Sequence, residues 1–305
     1  MYVASKADWT NVCSRVLLCL ATSRVKFFVT GSKAPKGHGT GTLCPDLAAR
    51  FSSTDISSTA FWVDLEAVVS FHSSSDTIRG NIEQAVAYTA YLLAARPDRV
   101  AMLGFYISKQ DYTVILADPS GVYYSPRLLW NNPSLLRSAL HCIDHPPRYM
   151  TDPTIEREAM GTFKITIAPK VYHGCQQQWY PTLGRWTMIF ATSPGETIPV
   201  IKEQYLRCNG EITEGDILKH VHSLGEIPGV VRLGRYGPVQ RQDGSLVECG
   251  PTNNRRKKVR LELKDKGEPF MMIETPYDAL VAIWDLLEGD AFISISDFAV
   301  DIQSQ

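Results

Sequence analysis

A lysine inside a strand, a carboxylate at the head of a helix and a glycine just ahead of a hairpin strand are the parts with which a protein grips phosphate groups. All three occur in order between residues 184 and 214. Gly184-Arg185-Trp186-Thr187 stands before one strand, and Pro199-Val200-Ile201-Lys202 sets a lysine among β-branched neighbours in the next. From such a strand the lysine points into the cleft beneath the first hairpin. Glu214-Gly215-Asp216-Ile217-Leu218 opens a helix one strand and a turn later, within reach of Lys202 across the sheet face. Backbone amides beside Gly184 and the Lys202 ammonium supply the contacts that hold phosphates. Transfer of a phosphoryl group needs more, namely a catalytic Asp and metal-binding residues further on. Taken singly, each residue has a plainer use. A lysine in a strand is usually solvated, and a Glu in a first helical turn complements the helix dipole. The order of the parts is more specific than any one of them.

A second set of residues has the look of a dismantled metal site. Restriction-endonuclease-like folds bind Mg²⁺ through Pro-Asp on one strand and Glu-x-Lys on the next. Pro45-Asp46 stands where the first pair belongs, and Val68-Val69-Ser70-Phe71-His72 supplies Ser70 and His72 in place of Glu and Lys. Serine carries no charge and histidine is mostly neutral at pH 7, so one carboxylate remains and nuclease activity is not expected. A turn is the plain alternative for Pro45-Asp46. His141 and His145 lie at i,i+4 of a helix, a spacing that grips metals, but no third ligand is near in sequence. His220 and His222 are two apart and point differently. Asp297-Phe298-Ala299 follows the last helix too closely, without a His-Arg-Asp ahead of it, to serve as a metal-binding tripeptide.

The elements that must position these residues read as follows. Trp9, Val12, Cys13, Val16, Leu17 and Leu20 recur at helical spacing behind a Ser5/Asp8 capping box. Residues 30 to 60 are rich in Gly, Ser, Thr and Lys and read as a loop with one short element. Phe61 to Phe71 suits a strand, and Asn81 to Ala95 a helix stopped by Arg96-Pro97-Asp98. Val100 to Ile107 and Tyr112 to Ala117 form a hairpin about Ser108 to Asp111. Pro126 to Ile143 reads as mostly helical, broken near Asn131-Asn132-Pro133. A mainly antiparallel block follows: strands at Thr162 to Ile167, Trp186 to Thr192, Ile198 to Leu206, Val230 to Arg235, Val259 to Leu263 and Pro269 to Ile273. It carries one early helix, Thr213 to Leu224 with Thr213 as cap, and an amphipathic helix from Pro276 to Leu287. Arg255-Arg256-Lys257-Lys258 reads as a solvated loop, with a nuclear-localisation or nucleic-acid patch as the alternative.

The 305 residues, 44% hydrophobic and 21% charged, describe a folded chain of about two domains. A net charge of -1 gives no bulk attraction to nucleic acid or anionic lipid. Seven single cysteines with no Cys-x-x-Cys fit reduced thiols in the cytoplasm or nucleus rather than a disulfide framework. The apolar run from Val16 to Leu20 is too short for a membrane span, and no signal-peptide pattern accompanies it.

Linked motifs carry a resemblance. Gly184-Arg185-Trp186-Thr187, Val200-Ile201-Lys202, Glu214 to Leu218, Ile227-Pro228-Gly229-Val230, Arg256 to Leu261 and Gly267-Glu268-Pro269 follow one another, and Asp285 to Asp290 ends the last helix. In that order the segment from about Thr162 to Asp290 resembles the fungal-type protein kinase domain, with Asp290 where that family usually has His. The first block fits the same family. Gln84 and Tyr88 lie in its helix, Arg96-Pro97-Asp98-Arg99 forms its turn, and Asp118-Pro119-Ser120-Gly121-Val122 matches Asp-Arg-Ser-Gly-Val except at Pro119.

The resemblance implies an α+β protein: an endonuclease-like α/β domain over 1–155, then a protein-kinase-like small lobe and the start of a large lobe over 156–305, an incomplete kinase fold. It implies weak ATP binding by Gly184, Arg185, Thr187, Lys202 and Glu214. No phosphate transfer is expected, because Phe292 to Gln305 holds no His-Arg-Asp and no following Asn. Mg²⁺ is not expected without the large-lobe residues. A small lobe lacking its helical partner exposes Leu280, Ile283, Trp284 and Leu287, a face for a partner protein or self-association. A non-catalytic interaction module is the competing expectation, and a metal-dependent nuclease the third.

Overall fold

The computed structural model describes residues 24–30, 34–37, 43–51, 60–71, 78–158, 161–179, 186–209, 212–225, 227, 229–267, 275–277, 280–281 and 284. The opening helix expected over Trp9 to Leu20, the strand at Pro269 to Ile273, His72, Ile283, Leu287 and Asp297 lie outside the described residues. The protein is mixed α/β and mostly sheet, with few helices.

The first sheet has the strand order β1 (Val25–Val29), β2 (Leu47–Phe51), β3 (Ala67–Phe71), β4 (Met102–Ile107), β5 (Asp111–Asp118) and β6 (Gly121–Tyr124), with the short β7 (Leu128–Leu129) also on β5. Neighbours are antiparallel except β3 and β4, which run parallel. A parallel pair needs a crossover, and helix α1 (Ile78–Ala94) supplies it. Gly104 on β4 is what lets α1 lie close, since a Cβ there would overlap the Thr89 side chain. Helix α2 (Ser134–Asp144) covers the opposite face, where Leu136, Leu140 and Ile143 meet Leu103, Phe105 and Val114.

The second sheet runs β13 (Leu233–Pro238), β15 (Arg256–Leu263), β12 (Val200–Arg207), β11 (Met188–Thr192), β10 (Lys170–Trp179), β9 (Thr162–Ile167) and β8 (Ile155–Arg157), with β14 (Glu248–Cys249) on β15. Helix α3 (Glu214–Val221) packs on its outer face, Leu218 against Val200, Leu206, Val259, Leu261 and Leu263. The inner face meets the first block. Trp62, Val68, Tyr88 and Leu92 share one core with Phe163, Tyr172, Phe190, Ile201 and Tyr205. Each such fully buried side chain contributes about 1.5–3 kcal/mol, so the two sheets are joined by a core and not by a linker.

Several readings shift. Phe61 to Phe71 splits into a 3₁₀ turn, Trp62–Asp64, and β3. Pro126 to Ile143 is helical only from Ser134, because Leu128 and Leu129 pair with Tyr112 and Asp111. The polar strand β10 escaped the reading. Its buried Gln176 gains its place from a tertiary contact, the side chain donating to the Ala94 carbonyl at the end of α1 (2.9 Å). The basic run is not a solvated loop. Arg256 and Lys258 belong to β15, and Lys258 is 0% exposed.

Candidate functional site

On β12, Val200, Lys202, Gln204 and Leu206 alternate onto the face that α3 covers. Helix α3 starts at a full capping box. Thr213 Oγ1 accepts from the Asp216 amide (3.1 Å), and the Asp216 carboxylate accepts from the Thr213 amide (2.9 Å). The Asp216 carboxyl is held down to about 2, chiefly by the Thr213 hydroxyl and then by the Tyr236 hydroxyl. Gly215 is buried against the Tyr236 ring of β13, where a Cβ would overlap it. These contacts fix the first turn, and with it Glu214.

Lys202 Nζ donates to both Glu214 oxygens, at 2.8 and 2.7 Å, and Gln204 Nε2 donates to Oε2 at 2.9 Å. The side chains are 21% and 32% exposed, so the pair is partly open to solvent. Ile189 of β11 lies directly beside Lys202. Thr187 is half-buried at the start of that strand, behind Trp186, whose ring is buried and whose φ of 40° is a strained value for a bulky residue. Gly184 and Arg185 lie outside the described residues. Gln204 and Tyr236 were not singled out from sequence. Gln204 sits two residues beyond Lys202 on the same strand face, which was the available signal.

The opposite face of the same strand carries a buried ionic layer that the sequence reading missed. Lys258 Nζ lies 2.7 Å from both Asp152 Oδ2 and Glu203 Oε2, and 3.3 Å from the Pro97 carbonyl. Arg260 Nε donates to Glu203 Oε1 at 2.6 Å, and its other nitrogens reach the Thr166 carbonyl and Thr154 Oγ1. Burial alone raises the Asp152 carboxyl, but Lys258 and Arg260 outweigh it and hold the group below its ordinary range. The signal was period-2 alternation in β15. Arg256, Lys258, Arg260 and Glu262 share one face, and Val259, Leu261 and Leu263 the other.

The first block's two motifs are the contacts that dock it. Arg96 binds the Leu65 carbonyl (2.6 Å), Glu66 and Asp98 (2.8 Å each), and Arg99 binds Glu66 at 2.7 Å. Burial raises the Asp98 carboxyl, and Arg96 more than reverses this, bringing it to about 2. The turn so fixed presents the Pro97 carbonyl to Lys258 and the Asp98 carbonyl to the Asp152 amide (3.0 Å). In the second motif, Asp118 Oδ1 accepts from the Ser120 and Gly121 amides, and the Ser120 carbonyl receives Asn254 Nδ2 at 3.0 Å.

The nuclease-like residues are engaged structurally. Asp46 Oδ2 accepts from the Phe71 amide at 2.8 Å, and buried Ser70 is bonded to Gln84. Gln84 donates to the Tyr88 hydroxyl, which donates to the Cys44 carbonyl. Burial, with the Asp46 and Cys44 charges adding, pushes Tyr88 up to about 12. The His141 and His145 rings stack at 4.8 Å, and His145 leans on Asp144. Among the described residues no three His, Cys, Asp or Glu side chains group to hold a metal, and no disulfide joins Cys44, Cys142, Cys175, Cys208 or Cys249. No described helix is long and apolar enough to cross a membrane.

No family model, no curated protein and no solved structure matches the chain.

Proposed function

We propose that this chain is a fungal-type-kinase-like protein that binds a nucleoside triphosphate such as ATP weakly and does not transfer its phosphate. The observation that carries the reading is the Lys202–Glu214 ion pair. It joins the strand after the β10–β11 hairpin to the first turn of the next helix, the pairing that an active kinase maintains between its strand lysine and helix glutamate. Bound ATP supplies the anionic phosphates. Lys202 neutralises them, Glu214 holds the ammonium in place, and Gln204 fixes the carboxylate. Thr187 and the Gly184-Arg185 hairpin are the further expected contacts. The 305 residues contain no His-Arg-Asp to orient a hydroxyl, so the chain on its own binds without turnover.

The endonuclease-like reading of the first block belongs to the same proposal. Asp46 leads into β2, Ser70 lies on the adjacent β3, and the missing second carboxylate leaves Mg²⁺ without a cradle. The block then acts as a platform that braces the second sheet from behind, Pro97 and Asp152 holding Lys258, which in turn holds Glu203 of β12.

Calorimetric titration of the full chain with ATP tests the reading. Saturable binding, weakened about tenfold or more in Lys202→Met, with no ATP-dependent phosphorylation, is the expected result. Absent binding, or binding that Lys202→Met leaves unchanged, overturns it. A second reading, an interaction module, has its own support. Tyr277, Leu280, Val281 and Trp284 recur at helical spacing and are all exposed. Self-association lost in Trp284→Asp, with no nucleotide binding, is the result that favours it.

A further inference from the structure

A cavity lies away from Lys202, at the seam between the sheets. It measures about 580 Å³, within the roughly 300–1,000 Å³ of small-molecule sites, which favour such seams. Val100 and Leu116 from the first block and Leu246 from the second give it an apolar lining. Arg241 also lines it, and Arg241, like buried Arg256 outside the lining, contrasts with the other buried cations of this seam. Arg96, Lys258 and Arg260 each meet carboxylates. Arg241 is 7% exposed, its Nη1 has no hydrogen-bond partner, and no carboxylate pairs with its guanidinium among the described residues. A buried cation without a counter-charge is costly, and an anion entering the cavity removes that cost.

The remaining charged groups of the cavity are already committed. Asp118 is spent on the Ser120 and Gly121 amides. Glu248 lies 3.7 Å from Arg255, and at the mouth Arg148 pairs with Asp243 and donates to Ser245 Oγ at 3.0 Å. With Arg148 paired to Asp243 and Arg255 to Glu248, Arg241 is the lining arginine left without a carboxylate within salt-bridge distance among the described residues.

We infer that this seam cavity binds a small organic phosphate, its phosphate on Arg241 and its apolar body against Val100, Leu116 and Leu246. A phosphate is favoured over a carboxylate because it carries more negative charge and offers a third acceptor oxygen to the Arg241 guanidinium. The inference does not rest on the nucleotide reading, since Lys202 lies on the far face of β12.

The test is titration of the full chain with phenyl phosphate at low ionic strength, by calorimetry and thermal shift. Inorganic phosphate and benzyl alcohol serve as head-only and body-only probes. Phenyl phosphate should bind saturably, more tightly than either fragment, and more weakly as salt is added. Arg241→Met should raise the dissociation constant about tenfold or more, while the ligand-free variant melts at the same or a higher temperature. Ser245→Glu, on the exposed rim, supplies a competing carboxylate and should weaken binding as well. It decides alone if Arg241→Met does not fold. Lys202→Met should bind normally. Absent saturable binding by the unaltered chain, binding unchanged in both cavity variants, or binding lost only in Lys202→Met overturns the site. Benzoate binding as tightly as phenyl phosphate overturns the choice of phosphate.

Discussion

Lys258→Met isolates the charge that joins the two blocks, because methionine keeps most of the lysine stem. Lys258 lies 2.7 Å from Asp152 and from Glu203, and all three side chains are 0% exposed. Without it, two buried carboxylates share Arg260 alone. Breaking a buried pair by removing one partner costs about 3–5 kcal/mol. Arg260 still touches both acids, so the expected loss is at the lower end, about 3 kcal/mol. Urea unfolding at pH 7, followed by circular dichroism, reads it. Adding Asp152→Asn leaves one anion for one cation, and the double variant should recover about half the loss or more. The pH dependence has a fixed sign. The Asp152 carboxyl is held below its ordinary value in the folded protein. Its contribution is therefore complete above about pH 4, where the unfolded chain's carboxylate is also ionised, and fades as pH falls through the lowered folded value. In Lys258→Met that fading should begin at higher pH. A loss under about 1 kcal/mol, or a double variant no more stable than the single, would refute the reasoning.

Gly215→Ala drives a methyl into the Tyr236 ring. It should cost about 1–3 kcal/mol and weaken ATP binding along with Lys202→Met, and a variant with unchanged stability would show that α3 moves freely. Asp46→Ala removes the acceptor of the Phe71 amide and should cost about 1–2 kcal/mol. Neither the variant nor the unaltered chain should cleave DNA or RNA with Mg²⁺, and cleavage that vanishes in Asp46→Ala would contradict this. Asp216, held down to about 2, supports the α3 cap fully above about pH 4 and loses it as pH falls through about 2. A carboxyl NMR titration of Asp216 near its ordinary value would show the capping box to be unformed.

Local chemistry made part of this protein legible in its sequence. Thr213 announced the start of α3, and Lys202 among β-branched neighbours announced a strand. Asp111 and Ser108 marked a hairpin turn, and Arg96-Pro97 the end of α1. Such signals act within a few residues, where periodicity and capping operate, so they survive without knowledge of the fold. The tertiary structure decided the rest. Arg255 to Lys258 looks solvated as a run of charges, yet β15 turns Lys258 towards Asp152 and Glu203, which lie 106 and 55 residues away in sequence. Gln176 needs the Ala94 carbonyl, and Arg241 needs the cavity around it, before either has a meaning. A strand's alternation tells which residues share a face. Only the packing of one sheet on another determines whether that face meets water, apolar side chains or a counter-charge.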